Sequence, residues 1–140
     1  QEFVNKYNWK RIDYDWSFWF QCNDLTRQRL KESGLPQYKP LGNNWCKLIA
    51  LNPNAYLVAP LRWVQNDLKK PNQIPKPWDI IIFSIPKSTW HIAVVYGATP
   101  WVNGITIFEQ NGKWTGSWLW QDSCRLRKTT YNNVYWWITW

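Results

Sequence analysis

From Asp79 to Trp140 the chain is a series of short apolar runs cut by turn signals, and this pattern constrains the fold more than any other feature. DIIIFSI is an apolar run of strand length and reads as a buried strand. WHIAVVYG is a second, ended by Gly97 and Pro100. GITIFEQN alternates as a third, and Asn111-Gly112 closes it with the residue pair that tight hairpin turns favour. Trp114 to Gln121, Cys124 to Lys128 and Val134 to Thr139 read as three more strands. Six short strands in succession predict a meandering antiparallel sheet.

The first half reads differently. CNDLTRQRLKESG predicts a helix from Cys22 to Ser33, with Leu25 and Leu30 turned inward and Arg27, Arg29 and Lys31 turned to water. Gly34 stands where a helix commonly ends in the left-handed conformation, and Pro36 lies just beyond. Gln1 to Arg11 reads as a short helix or arm, Trp45 to Ala50 as a helical turn, and Asn52 to Pro60 as irregular. Leu61, Val64 and Leu68 recur at helical spacing and predict a second short helix over Leu61 to Lys69. Helices first and strands afterwards make an α+β domain, and 140 residues suit a single core, so one domain over 1–140 is expected.

Charge narrows the partners. Seventeen Lys+Arg against nine Asp+Glu give a net charge of +8, which favours polyanions such as nucleic acid, anionic membranes or phosphate-rich bacterial walls. No nucleic-acid-binding motif accompanies it, so nucleic acid is not the expected partner. No run of eighteen apolar residues is present and no membrane insertion is expected. The opening QEFVNKYNWKR has no apolar core of the kind a signal peptide carries. Fourteen tryptophans spread along the whole chain read mainly as core and rim filling.

Chemistry concentrates in Asp13 to Asp24, read DYDWSFWFQCND. Asp13, Asp15, Ser17, Trp19 and Asp24 occupy positions 1, 3, 5, 7 and 12 of a twelve-residue loop, the ligand positions of an EF-hand-like calcium site. Trp19 can offer only its main-chain carbonyl. Phe18 replaces the usual glycine at position 6 and Asp24 the usual glutamate at position 12. The plainer reading is an acidic turn with Asp24 favouring the helix dipole. Inside the loop, Cys22 starts the predicted helix, where the dipole and a nearby cation would stabilise a thiolate.

A cysteine nucleophile needs a base, and the base needs an orienting group. His91, the only histidine, opens the HIAVV strand. Glu109 lies on the next strand, with Asn111 two residues on and on the same face by alternation. Glu109 can hold one ring nitrogen of His91 and leave the other for the Cys22 thiol. Taken singly, each residue has an ordinary structural reading: packing for the thiol, a structural strand-end histidine, a solvated glutamate. The combination is what points to chemistry. The other thiols, Cys46 and Cys124, are open to either a disulfide or two buried thiols.

Together, QCNDL around Cys22, the aspartate-led strand from Asp79, HIAVV from His91, EQNG from Glu109 and LGNNW from Leu41 resemble a CHAP domain. This is the cysteine- and histidine-dependent amidohydrolase/peptidase family within the papain-like cell-wall hydrolases. The resemblance implies a papain-like α+β fold, with N-terminal helices packed on a roughly six-stranded antiparallel sheet. It implies a peptidoglycan amidase or endopeptidase whose nucleophile, base and orienting acid fall on Cys22, His91 and Glu109, assisted by Asn111. The Cys22 backbone N–H, with the side-chain amide of Gln21 or Asn111, would face the oxyanion. Trp90, Trp114 and Trp118 are candidates for a sugar- or peptide-binding groove. The D-x-D spacing before Cys22 resembles the calcium-binding CHAP domains of bacteriophage endolysins, which implies calcium as cofactor. A monomer acting on bacterial peptidoglycan at the cell wall is expected, whether phage-released, virion-associated or secreted. Family members often carry glycine where this chain has Trp78.

Two rival readings come from other classes. A non-catalytic, tryptophan-rich wall- or glycan-binding module would have no use for the Cys, His and Glu set. A structural zinc site on Cys22, Cys46, His91 and Cys124 lacks the closely spaced ligand pairs usual for zinc.

Overall fold

The apolar runs of the second half pair into one sheet. A computed structural model describes residues 1–14, 22–38, 49–67, 69–84, 90–98, 104–110 and 123–140. Its strands are β1 (Arg62–Gln65), β2 (Ile80–Phe83), β3 (His91–Ala98), β4 (Ile105–Glu109), β5 (Arg125–Thr129) and β6 (Val134–Thr139). The order across the sheet is β1-β6-β2-β3-β4-β5, with every pairing antiparallel. From β2 to β5 the chain meanders as expected. It then departs from a simple meander, because β6 returns to lie between β1 and β2. The helices are α1 (Glu2–Tyr7), α2 (Cys22–Glu32) and α3 (Pro53–Tyr56), with residues 49–51 also helical. The architecture is the α+β arrangement expected, and no helix among the described residues is long and apolar enough to cross a membrane.

IIIF is continuously apolar because both faces of β2 are covered. Ile80 and Ile82 join Ile92, Trp136 and Ile138 in a core with Leu30 of α2. Ile81 and Phe83 face the other way, among Ala93, Val95, Ile107 and Trp137. A third cluster joins Phe3 and Val4 of α1 to Leu25, Val94, Phe108 and Cys124, and so fastens the N-terminus to the sheet.

Helix α2 ends as the sequence predicts. Gly34 has φ +67°, its N–H donates to the Lys31 carbonyl at 3.1 Å, and the Leu35 N–H donates to the Leu30 carbonyl at 3.0 Å. That bond pair is the Schellman termination. Leu25 and Leu30 are fully buried as expected. The expectation that Arg27 and Arg29 face water is overturned. Arg27 is buried, its guanidinium 4.9 Å from the Tyr38 ring centre, and half-buried Arg29 lies 5.1 Å from that of Trp78. The abundant aromatic rings supply faces on which a guanidinium can stack as it leaves water.

The predicted helix over Leu61 to Lys69 is a strand instead. Residues 62–65 form β1 at the sheet edge, from Arg62 opposite Thr139 to Gln65 opposite Trp136. Leu61 is buried and Val64 half-buried, but Leu68 lies outside the described residues. Backbone pairing to an exposed edge has overridden a three-residue apolar spacing. Asn52 to Pro60, read as irregular, contains α3, opened by Pro53 at a position where proline is well tolerated. The predicted strand at Trp114 to Gln121 and the Asn111-Gly112 turn lie outside the described residues.

Trp78 explains a departure seen in the sequence. Its φ is +78°, in the left-handed region that costs a side chain about 1–2 kcal/mol, so a glycine would sit there without strain. The ring is held by Arg29 on one side and by the edge of Tyr96, 6.1 Å away at 89°.

Candidate active site

Three elements deliver one side chain each to a common point. Cys22 is the first residue of α2, His91 the first of β3, and Glu109 the last of β4. Val94 pairs with Phe108, which sets Glu109 across from Ala93 and makes His91 its diagonal neighbour. His91 Nε2 lies 2.9 Å from Glu109 Oε2, and Cys22 hydrogen-bonds to the same imidazole. With Nε2 engaged by the carboxylate, Nδ1 is the nitrogen left for the thiol. Cys22 is half-buried and not in a disulfide, while His91 is 7% exposed and Glu109 0%.

A carboxylate with no exposure needs compensation, and Arg127 supplies it. Arg127 Nε donates to Glu109 Oε1 at 2.5 Å and Nη2 to Oε2 at 2.9 Å, while Arg125 Nε lies 3.9 Å from Oε1. Burial alone would push the Glu109 pKa up. The bonds from His91 and Arg127 outweigh it and bring the carboxyl down to about 2. Burial likewise disfavours the charged imidazole, yet the bonds to Cys22 and Glu109, with their charges, raise His91 to about 9. The electrostatics thus favour an imidazolium at neutral pH, between Cys22 and an ionised carboxylate.

Gln110 performs a second fixing role. Its fully buried side chain accepts from the Ile12 N–H at 2.6 Å and donates to the Ile12 carbonyl at 2.7 Å. The amide thus pairs with a main-chain residue as a strand would. Nearby, the Trp9 N–H donates to the Cys124 carbonyl and the Cys124 N–H to the Lys10 carbonyl, each at 2.7 Å. The stem of the Asp13–Asp24 loop is thereby clipped to the strand that ends in Glu109. Cys124 is fully buried, its thiol donates to Gln110 Oε1 at 3.2 Å, and burial pushes its pKa up to about 12, so it is inert packing.

Sequence reasoning missed Arg127 and Gln110. The signal for Arg127 was the alternation in RLRK, which puts Arg125 and Arg127 on one face of a strand. Nothing local marks Gln110 beyond its place beside Glu109.

Of the candidate calcium ligands, Asp13 and Asp24 are described. Asp24 is buried in the first turn of α2. Asp13 Oδ1 is buried without a hydrogen-bond partner among the described residues. Asp15, Ser17 and Trp19 lie outside the described residues, among which no group of three acidic, histidine or cysteine side chains is arranged to hold a metal. Gln21, Asn111, Trp114 and Trp118 also lie outside them, as does Cys46. Trp90 is half-buried and meets the Tyr135 ring edge-on, with centres 5.3 Å apart.

No protein-family model matches the chain, and no curated protein matches it. Among solved structures it superposes on one described as a wild-type endolysin, LysIME-EF1, with a TM-score of 0.72 and 19% identity. The match covers 99% of this chain and 61% of that one, so this chain spans about three-fifths of the endolysin's length. The likeness shows that the two share a fold.

His91 is the sole histidine, so its ring resonances can be followed without ambiguity. An NMR titration is expected to give a midpoint near pH 9, and Glu109→Gln should lower it. The linked stability has a definite sign. The His91 contribution is full below its ordinary value of 6.5 and is lost as pH rises through 9; that of Glu109 is full above 4.5 and is lost as pH falls through 2. A wild-type midpoint at or below 6.5 would contradict this electrostatic account.

Proposed function

We propose that the chain is a CHAP-type peptidoglycan hydrolase that cuts an amide bond with Cys22 as nucleophile. The observation that carries the reading is the connected series Cys22–His91–Glu109, with the carboxylate buried and ionised. A wall-binding module would have no use for such a series. The fold shared with a protein described as an endolysin supports the same reading and points to action at the bacterial cell wall. We take 1–140 as one catalytic domain acting as a monomer.

In the resting site His91 is the imidazolium and Cys22 its thiolate partner, favoured by the positive end of α2. The sulfur attacks the amide carbonyl. The Cys22 backbone N–H stabilises the developing oxyanion, with the side-chain amide of Gln21 or Asn111 as second donor. His91 gives its proton to the leaving amine, and the neutral ring then draws a proton from the water that releases the acyl group. Glu109 keeps the ring oriented and balances its charge throughout, while Arg127 holds Glu109 ionised. The bond is either N-acetylmuramoyl–L-alanine or a peptide bond of the stem or cross-bridge. Trp90 flanks the base, and Trp114 and Trp118, close in sequence to the Glu109 segment, would line the substrate groove with it.

Calcium fits the residues at hand. Asp13, Asp15 and Asp24 would hold it by carboxylates, and Ser17 and Trp19 by main-chain carbonyls; the buried Oδ1 of Asp13, which has no hydrogen-bond partner among the described residues, is the supporting observation. The ion would neutralise the acidic loop and fix the segment that leads into Cys22.

Two outcomes are expected. Glu109→Gln should cut turnover of purified peptidoglycan by roughly ten- to a thousandfold with the fold retained, and His91→Ala should be worse. Near-normal turnover in His91→Ala would refute the mechanism. EGTA should lower both turnover and Tm, and calcium should restore both better than magnesium. Unchanged Tm in Asp13→Ala, with no calcium retained by the wild-type protein, would remove the metal site.

A further inference from the structure

Away from the reacting groups, the edge strand β1 and the return strand β6 frame a depression of about 440 Å³. Trp63 and Gln65 of β1 form one wall, Tyr135 and Trp136 of β6 another, and the segment carrying Asn52 and Asn54 closes the end. Trp63 and Tyr135 are large aromatic side chains left 39% and 40% exposed.

The geometry looks built rather than incidental. Ile82 pairs with Trp136 but Phe83 with Val134, so Tyr135 is the extra residue of a β-bulge. A bulge re-aims a side chain, and here Tyr135 lines the depression together with its neighbour Trp136. Trp63 Nε1 donates to Asn54 Oδ1 at 3.0 Å, which fixes the indole and turns the Asn54 NH2 group into the available donor. Its ring lies 6.2 Å from that of Trp136, whose own Nε1 is tied to the Ala50 carbonyl.

Charge decides between ligand classes. The protein carries a net +8, yet among the described residues no charged side chain lines this depression. Stem peptides bear carboxylates, and teichoic acids bear phosphates; either would be met by lysine or arginine. Exposed aromatic faces beside side-chain amides suit a neutral ligand with apolar C–H faces and hydroxyl or acetamido rims. That is the chemistry of an N-acetylated sugar. Tyr135 also meets the ring of Trp90, the residue before His91, so one wall of the depression adjoins the strand that carries His91.

We infer that this depression is a saccharide subsite that seats a neutral N-acetylated sugar of the glycan strand on Trp63 and Tyr135 while the amide lies at Cys22. The inference rests on the hydrolase reading for its substrate, and its test separates the two. The probe is the β-1,4-linked tetramer of N-acetylglucosamine, titrated by calorimetry and by NMR of the Trp63 indole N–H. Wild-type protein is expected to bind it with a Kd on the order of 1 mM, the range for a small neutral ligand on an open site. Trp63→Ala should weaken binding at least tenfold, whereas His91→Ala, which removes turnover, should bind as wild type does. Should Trp63→Ala fail to fold, Asn54→Ala, at an exposed position of α3, must show the same direction of loss. Binding without any hydrolysis of peptidoglycan would leave the subsite standing and the hydrolase reading fallen. Hydrolysis with no tetramer binding, or an indole shift produced by an acidic stem tetrapeptide and not by the sugar, would overturn the subsite.

Discussion

The buried carboxylate of Glu109 is the interaction on which the candidate site depends. A fully buried charge is stable only when paired and hydrogen-bonded, and Glu109 has His91 on one side and the bidentate Arg127 on the other. The pairing works in both directions. Arg127 keeps the carboxylate ionised, and the ionised carboxylate helps hold His91 protonated well above its ordinary value. The partners come from three adjacent strands, β3, β4 and β5, so the register of the sheet determines the electrostatics of the site.

The same strand end anchors the segment that leads into Cys22. Gln110 follows Glu109 and pairs its side-chain amide with the main chain of Ile12, next to Asp13. Backbone bonds between Trp9, Lys10 and Cys124 continue that attachment. The loop from Asp13 to Asp24 therefore leaves the sheet beside Glu109 and ends within the helix that begins with Cys22. A calcium ion held by that loop, as proposed, would stiffen a segment already fixed at both ends.

How much of this was legible in the sequence varies with how local each cause is. Helix α2 and its end at Gly34 follow from neighbouring residues, and the buried strands β2, β3 and β4 follow from runs dense in isoleucine and valine. The meeting of His91 with Glu109 followed from alternation on adjacent strands, although the two are diagonal rather than directly opposite. Arg127 escaped because the sequence predicts a strand at Trp114 to Gln121 between β4 and β5, which pair directly, and Gln110 because its partner Ile12 is distant in sequence. The same holds for Arg27 and Arg29, whose aromatic partners are brought together by the fold. β1 was misread because Leu61, Val64 and Leu68 imitate a helical face, whereas an open edge of β6 was what the segment paired with. The bulge at Tyr135 has no sequence signature at all.

The central claim is that Cys22 forms a covalent acyl intermediate while His91 supplies and removes protons. It is tested most directly by mixing the protein with soluble peptidoglycan fragments, quenching in acid within milliseconds to seconds, and measuring intact mass followed by peptide mapping. The account predicts a transient mass increase equal to the acyl half of the cut fragment, located on Cys22 and absent from Cys22→Ala, which releases no product. Product release by Cys22→Ala, or an acyl adduct mapped to Cys46 or Cys124 instead, would contradict it.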